Sequence, residues 1–189
     1  MYSIVLYAPH LNRDLRHLME AVPCLSIYEG RQTPNGEDGC LHGHRAIVAW
    51  AQACELDRVF VVEDDCQFTS HFDWARWNAD ADWADSHGYD VMAGGCTRTY
   101  NQKLVREGMI EVSAFHSAHC LVYFKSGYAK ALRAIIPYDW SLGRDCGMRC
   151  VLVHPFVAVQ TPGYSGIEHH DVDYVPLYEM HEAELRSVR

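Results

Sequence analysis

The stretch that decides the fold is RVFVVEDDCQF, residues 58–68. Its first half, RVFVV at 58–62, is a continuous β-branched and aromatic run, which predicts a strand buried on both faces of a mostly parallel sheet. The run stops at Glu63, Asp64 and Asp65. In open α/β sheets ligands bind beyond the carboxyl ends of the strands, so adjacent carboxylates at such an end mark a candidate site. If the chain stays extended, Glu63 and Asp65 point one way and Asp64 the other, which lets two oxygens reach one divalent ion. Oxygen donors favour Mg²⁺ or Mn²⁺. The same tripeptide also reads as a solvated turn, or as a helix start satisfied by the helix dipole.

Outward from this strand, apolar runs and helical periodicities alternate. SIVLYA at 3–8 predicts a strand ended by Pro9, and LNRDLRHLMEAV at 11–22 places Leu11, Leu15, Leu18, Met19 and Val22 on one helical face. LSIY at 25–28 reads as a second strand, and Gly30, Pro34, Asn35, Gly36 and Gly39 as a long loop. HGHRAIVAWAQACE at 42–55 predicts a helix with Ala46, Ile47, Trp50, Ala53 and Cys54 on its apolar face, which puts Trp50 in the core. Residues 72–88 read as helical or irregular, and DVMAGG at 90–95 as a short strand. CLVYF at 120–124 predicts a strand, followed by a helix capped by Ser126 and stopped by Pro137. VLVHPFVAV at 151–159 reads as one or two strands broken at Pro155. The alternation predicts a single α/β domain over residues 1–189, a mixed, mostly parallel sheet flanked by helices.

Composition narrows the classes. With 189 residues, 49% hydrophobic and 22% charged, the chain is an ordinary globular domain, and disorder, collagen and coiled coil are excluded. Sixteen Lys and Arg stand against 25 Asp and Glu, a net charge of −9 with no basic stripe, which disfavours nucleic-acid backbone binding. No run approaches the ~20 apolar residues of a membrane span, and the first residues lack the pattern of a signal peptide, so a cytoplasmic protein is expected. The eight Cys form no CxxC pair and read as buried reduced thiols. Cys40, His42 and His44 hint at zinc, but their spacing fits no common finger.

A second cluster is GIEHHDVDY at 166–174, where His169 or His170 offers a nitrogen ligand that could complete a site with Glu63 and Asp65. The alternative is a plain surface loop.

GEDGCLHGHRAIVAWAQACELDRVFVVEDDCQF, residues 36–68, resembles the signature of glycosyltransferase family 25, the lipopolysaccharide and collagen galactosyltransferase group. Gly39, Cys40 and His44 match a Gly-Cys pair and the His that follows it, with Gly43 where Ser is usual, and an amphipathic helix and a strand ending in Glu-Asp-Asp come next. AFHSAHCLVYFKSGYAKAL and IPYDWSL resemble later segments of the family, and DVMAGG sits where it has a further strand. The opening differs: Tyr7, Ala8, Pro9 and His10 follow the first strand, leaving Arg13 and Arg16 as counterparts of the family's nucleotide-approaching arginines.

The resemblance implies a glycosyltransferase A-type, Rossmann-like fold. It implies a nucleotide diphosphate sugar donor, a UDP-sugar first among them, bound with Mn²⁺ or Mg²⁺ on Glu63 and Asp65, with His44, Arg13 and Asp64 contributing to the donor site. A divalent ion stabilises the charge that grows on a diphosphate leaving group. Inverting transfer of a hexose such as galactose or glucose also needs a general base for the acceptor hydroxyl. Asp139 is the candidate, with Asp145 and Asp171 as competitors and helix capping as its structural alternative. The acceptor, a saccharide, a lipid-linked glycan, a protein hydroxyl or a modified DNA base, is not legible, nor is oligomeric state. His44 alternatively orients Glu63 from behind. Trp50, Trp74, Trp77 and Trp83 are candidates for sugar stacking, with the core as the alternative that helical spacing favours for Trp50. Two other functions fit the same residues: a metal-dependent phosphohydrolase or nuclease, and a catalytically silent sugar-binding protein.

Overall fold

The computed structural model describes residues 1–189. In chain order the elements are β1 (Tyr2–Tyr7), α1 (Arg16–Ala21), β2 (Leu25–Glu29), α2 (Gly36–Ala53), β3 (Arg58–Glu63), β4 (Cys66–Phe68) and α3 (Trp74–Ser86). Then follow β5 (Val91–Ala93), β6 (Arg98–Tyr100), β7 (Lys103–Arg106), β8 (Met109–Val112), β9 (Ala114–His116), β10 (Cys120–Phe124), α4 (Tyr128–Ala131) and α5 (Tyr138–Arg144). The chain ends with β11 (Cys150–Val153), β12 (Ala158–Gln160), β13 (Gly163–Tyr164), β14 (Asp171–Val172) and α6 (Val175–Leu185).

Eight strands form one sheet in the order β2-β1-β3-β10-β5-β11-β8-β7. Six of them point the same way, and only β10 and β8 run opposite, so the sheet is mixed with a parallel majority. Three two-stranded ribbons, β4–β12, β6–β9 and β13–β14, sit at its margins.

The decisive strand lies inside the sheet, between β1 and β10, as its sequence demands. Successive side chains of a strand face opposite ways, so Val59 and Val61 enter one core while Phe60 and Val62 enter the other, all four fully buried. The first core is covered by α2, α4, α5 and α6, the second by α1 and α3. β10 repeats the division, with Leu121 and Tyr123 on one side and Cys120, Val122 and Phe124 on the other.

Several local expectations shift. Helix α2 starts at Gly36 rather than 42: Asn35 caps it by accepting the Glu37 N–H at 3.0 Å, and Glu37 and Asp38 suit its dipole. Gly36 and Gly39, which read as loop, lie in this helix. A Cβ on Gly43 would lie 2.5 Å from Leu6 Cδ1, so its absence lets α2 press onto β1. The buried stripe of α2 is Leu41, His44, Ile47, Val48 and Ala51, offset from the expected one. Trp50 therefore lies outward, 41% exposed, with its ring edge-on to Tyr2 at 5.8 Å. Cys54, at the end of the same helix, and Cys24, in the turn before β2, are exposed, while Cys66, Cys96, Cys120, Cys146 and Cys150 are buried, and all eight thiols are free. Helix α1 is shorter than expected, since Pro9–Leu11 forms a separate 3₁₀ turn. The expected helix after β10 is a 3₁₀ turn and one α-turn, because Ser126 donates to the Tyr89 carbonyl instead of capping. Strands β6 to β9 and helix α6 had no counterpart in the expectation. No helix is long and apolar enough to cross a membrane.

The two-core arrangement predicts a steep gradient of sensitivity. Phe60→Ala should cost about 3–5 kcal/mol in chemical denaturation. Ile27→Ala on the edge strand β2, where the side chain is 50% exposed, should cost under about 1 kcal/mol.

Candidate active site

Strands β1 and β3 are parallel neighbours, with Leu6 level with Glu63, so their carboxyl ends open at one place. Beyond them lies a cleft of about 700 Å³. Its walls come from the segment after β1, the start of α2, the Glu63–Asp65 corner, the Ser117 loop, the start of α5, and the β13–β14 hairpin.

The chain does not stay extended through the acidic triplet. The strand ends at Glu63, and Asp64 and Asp65 form the turn into β4, yet all three side chains line the cleft. Glu63 Oε1 accepts hydrogen bonds from Cys40 Sγ at 3.1 Å and from His44 Nε2 at 2.9 Å, and no hydrogen bond engages Oε2. His44 is fully buried, its Nδ1 lies 2.9 Å from the Tyr123 hydroxyl, and its ring stacks on Tyr138 at 4.9 Å. Asp64 accepts the Ala8 N–H at 2.7 Å and pairs with Arg13. Arg13 also lies 3.4 Å from Asp65 Oδ2 and donates to the Tyr164 carbonyl at 2.8 Å. Asp65 Oδ2 accepts from Gln160 Nε2 at 3.2 Å, whereas Oδ1 is buried with no partner.

The electrostatics follow from this crowding. Burial, then the neighbouring Glu63 charge, push the Asp65 carboxyl up to about 7. Burial raises Asp64 as well, against the pull of Arg13. Glu63 moves the other way: burial opposes its charge, but the hydrogen bonds from His44 and Cys40 outweigh burial and hold it below the usual range. Burial works against the Arg13 charge too, and Asp65 and Asp64 overcome it. Beside the triplet, His119 Nδ1 lies 3.2 Å from the Tyr178 hydroxyl, and burial lowers the imidazole to about 4, so it stays neutral. Three carboxylates against one guanidinium leave the corner short of positive charge, and the orphaned Asp65 Oδ1 marks where the deficit is local. A divalent cation on Asp65 and Glu63 fits that donor set.

Of the residues expected to contribute, the fold brings Arg13, Cys40, Glu63, Asp64, Asp65, Asp139 and His169 to the cleft wall, with His44 directly behind Glu63. Asp139 accepts the Ser117 N–H on one oxygen and its own neighbour's, Trp140 N–H, at 2.7 Å on the other. His170 lies off the cleft wall, with Nδ1 held 2.8 Å from the Glu168 carbonyl. Asp145 sits beside Arg144 at the end of α5, Asp171 is exposed on β14, and neither lines the cleft. Arg16 pairs with Asp14 in solvent. None of Trp50, Trp74, Trp77 and Trp83 reaches the cleft, because Trp77 packs on Phe60 and Trp83 on Tyr89; the aromatic wall residues are tyrosines such as Tyr7, Tyr164 and Tyr174. His42 is exposed and does not join Cys40 and His44, and Glu63 takes that place. Gln160, Tyr123 and His119 had no local signal in the sequence, since long-range pairing alone brings them here.

The β13–β14 hairpin reaches across to α2, where Gly36 N–H donates to the Gly166 carbonyl at 3.2 Å. A Cβ on Gly36 would lie 2.5 Å from the backbone of Gly166.

No protein-family model matches the chain, and no characterised protein matches it by sequence. Solved structures do. The A197 protein from STIV is similar over 92% of this chain and 87% of its own, with a TM-score of 0.58 and 13% identity. A UDP-glucose pyrophosphorylase complexed with UDP-glucose is similar over 97% of this chain and 81% of its own, with a TM-score of 0.50 and 9% identity. The likeness shows the fold: this chain has the Rossmann-like α/β architecture of that pyrophosphorylase.

The glycine contact makes a specific prediction. Gly36→Ala should detach the hairpin, raising hydrogen exchange over 163–172 by at least tenfold while α2 beyond its first turn and β3 keep their protection.

Proposed function

We propose that the chain is a divalent-cation-dependent glycosyltransferase, related to family 25, that transfers a hexose from a UDP-sugar to a hydroxyl acceptor with inversion. The observation that carries this is the Asp65 carboxylate, with one oxygen buried and unpartnered inside an acidic corner at the carboxyl ends of parallel strands. The fold likeness to a protein complexed with UDP-glucose supports a nucleotide-sugar ligand in that cleft.

Asp65 and the free oxygen of Glu63 would hold Mn²⁺ or Mg²⁺, and His169, the hairpin histidine on the cleft wall, is the candidate nitrogen ligand. Such an ion, when bound, stabilises the negative charge of a departing diphosphate. The chain's own residues do the rest. Cys40 and His44 fix Glu63 as a carboxylate. Arg13, clamped by Asp64 and aimed at Asp65, holds the corner together and adds positive charge on the donor side. Asp139 takes the proton of the acceptor hydroxyl. Its two backbone amide bonds hold it oriented, and a carboxylate retains lone pairs for the acceptor.

The test is UDP release from UDP-glucose and UDP-galactose with Mn²⁺, using water and simple sugars as acceptors. Wild type should turn over, and chelator should abolish it. Asp139→Asn should lower kcat by roughly 10²–10⁴ with nucleotide affinity kept. Asp65→Asn should remove the Mn²⁺ dependence. Turnover unchanged by chelator, or release of inorganic phosphate in place of UDP, contradicts the proposal, the latter in favour of a phosphohydrolase.

A further inference from the structure

Cys40, His44 and Glu63 place a thiol, an imidazole nitrogen and a carboxylate oxygen within 4.8 Å of one another. This is a different donor set from the carboxylate corner beside it, and a softer one. We propose that these three residues form a second metal site, selective for a thiophilic ion such as Zn²⁺, set in the wall of the cleft.

Three features of the fold favour it. Cys40 and His44 are one turn apart on α2, the i,i+4 spacing that puts two ligands on one helical face, and β3 delivers Glu63 opposite them. Cys40 and Glu63 line the cleft, so an ion has an entry path and an open position for water, while His44 closes the site from inside. The remaining nitrogen of His44 is held by the Tyr123 hydroxyl at 2.9 Å, the kind of outer partner that orients metal-bound imidazoles.

The present distances belong to hydrogen bonds. Sulfur and nitrogen stand 3.1 and 2.9 Å from Glu63 Oε1. Bond lengths of about 2.0–2.3 Å make the edges of a tetrahedral zinc site roughly 3.3–3.7 Å, so these two edges must open by about half an ångström. Proton balance is simple. Binding forms one bond each to sulfur, nitrogen and oxygen, and releases the Cys40 thiol proton to solvent. His44 binds as the Nδ1–H tautomer: Nε2 gives up its hydrogen to become the ligand, and Nδ1 carries the one that it donates to Tyr123. The Tyr123 hydroxyl then turns its own hydrogen toward the neighbouring buried Tyr138 hydroxyl, which has no partner at present. Because Glu63 belongs to both sites, Zn²⁺ here and Mn²⁺ at the acidic corner compete; this consequence alone rests on the proposed glycosyltransferase function.

The experiment uses the full chain and the metal alone. Titrated with Co²⁺ as a zinc substitute, it should develop a near-ultraviolet thiolate-to-cobalt absorption at one ion per chain, displaced by Zn²⁺. The band should vanish in Cys40→Ser, persist in Cys24→Ser, Cys54→Ser and Asp65→Asn, and need roughly 10–100-fold more metal in Tyr123→Phe. In the unmutated chain, Zn²⁺ should protect Cys40 from alkylation as read by peptide mass spectrometry, which does not depend on any variant folding. A cobalt spectrum without a thiolate band, or Cys40 alkylated equally with and without Zn²⁺, overturns the site. Neither readout involves a nucleotide sugar, so failure here is distinct from failure of the glycosyltransferase proposal.

Discussion

Three carboxylates leave a fully buried strand within three residues, and the surrounding structure is built to satisfy them. Taking a carboxylate out of water is costly unless it is paired and hydrogen-bonded. Each of the three finds a different solution. Glu63 takes two hydrogen bonds from α2, Asp64 takes a backbone amide and a guanidinium, and Asp65 is left half satisfied. The imbalance is confined to Asp65, and it faces the cleft.

That constraint reaches far along the chain. Arg13 must arrive from the segment after β1, Cys40 and His44 from a helix that presses on β1 through Gly43, and Gln160 from β12 by way of Tyr178. The hairpin is tied in through the same arginine, whose second bond goes to the Tyr164 carbonyl. One guanidinium thereby links two carboxylates to the far wall, so a change of charge at the corner and a change of hairpin position are mechanically connected. His44 connects the corner to the core in the same way, through Tyr123 on β10 and Tyr138 on α5.

The central strand, its acidic end and the alternation of strands and helices were legible because each is written in consecutive residues. The RVFVV run has no other comfortable place than the middle of a sheet. The start of α2 was not legible, because Gly36 and Gly39 read as loop chemistry, and a close contact with Gly166 is what requires Gly36. Trp50 was misplaced for a related reason: the periodicity within 42–55 alone selects a stripe offset from the one the sheet covers. The four short strands from 98 to 116 are too brief to show alternation. In the site, local spacing brought out Glu63, Asp64 and Asp65, and the family resemblance pointed to Arg13, but Gln160 and Tyr123 lie 95 residues from Asp65 and 79 from His44 along the chain. His169 and His170 look equivalent in sequence, and only the turn of the hairpin sets one on the cleft wall and the other off it.

The most direct test of the central claim, that the unsatisfied carboxylate at Asp65 is a cation site serving a nucleotide diphosphate, is calorimetric titration of Mn²⁺ with and without UDP. Linkage requires each ligand to strengthen the other by the same factor if both meet at one place. The account predicts mutual strengthening of at least tenfold, abolished by Asp65→Asn and retained in Cys40→Ser. UDP binding with equal affinity in Mn²⁺ and in chelator, or an undiminished effect in Asp65→Asn, would contradict it.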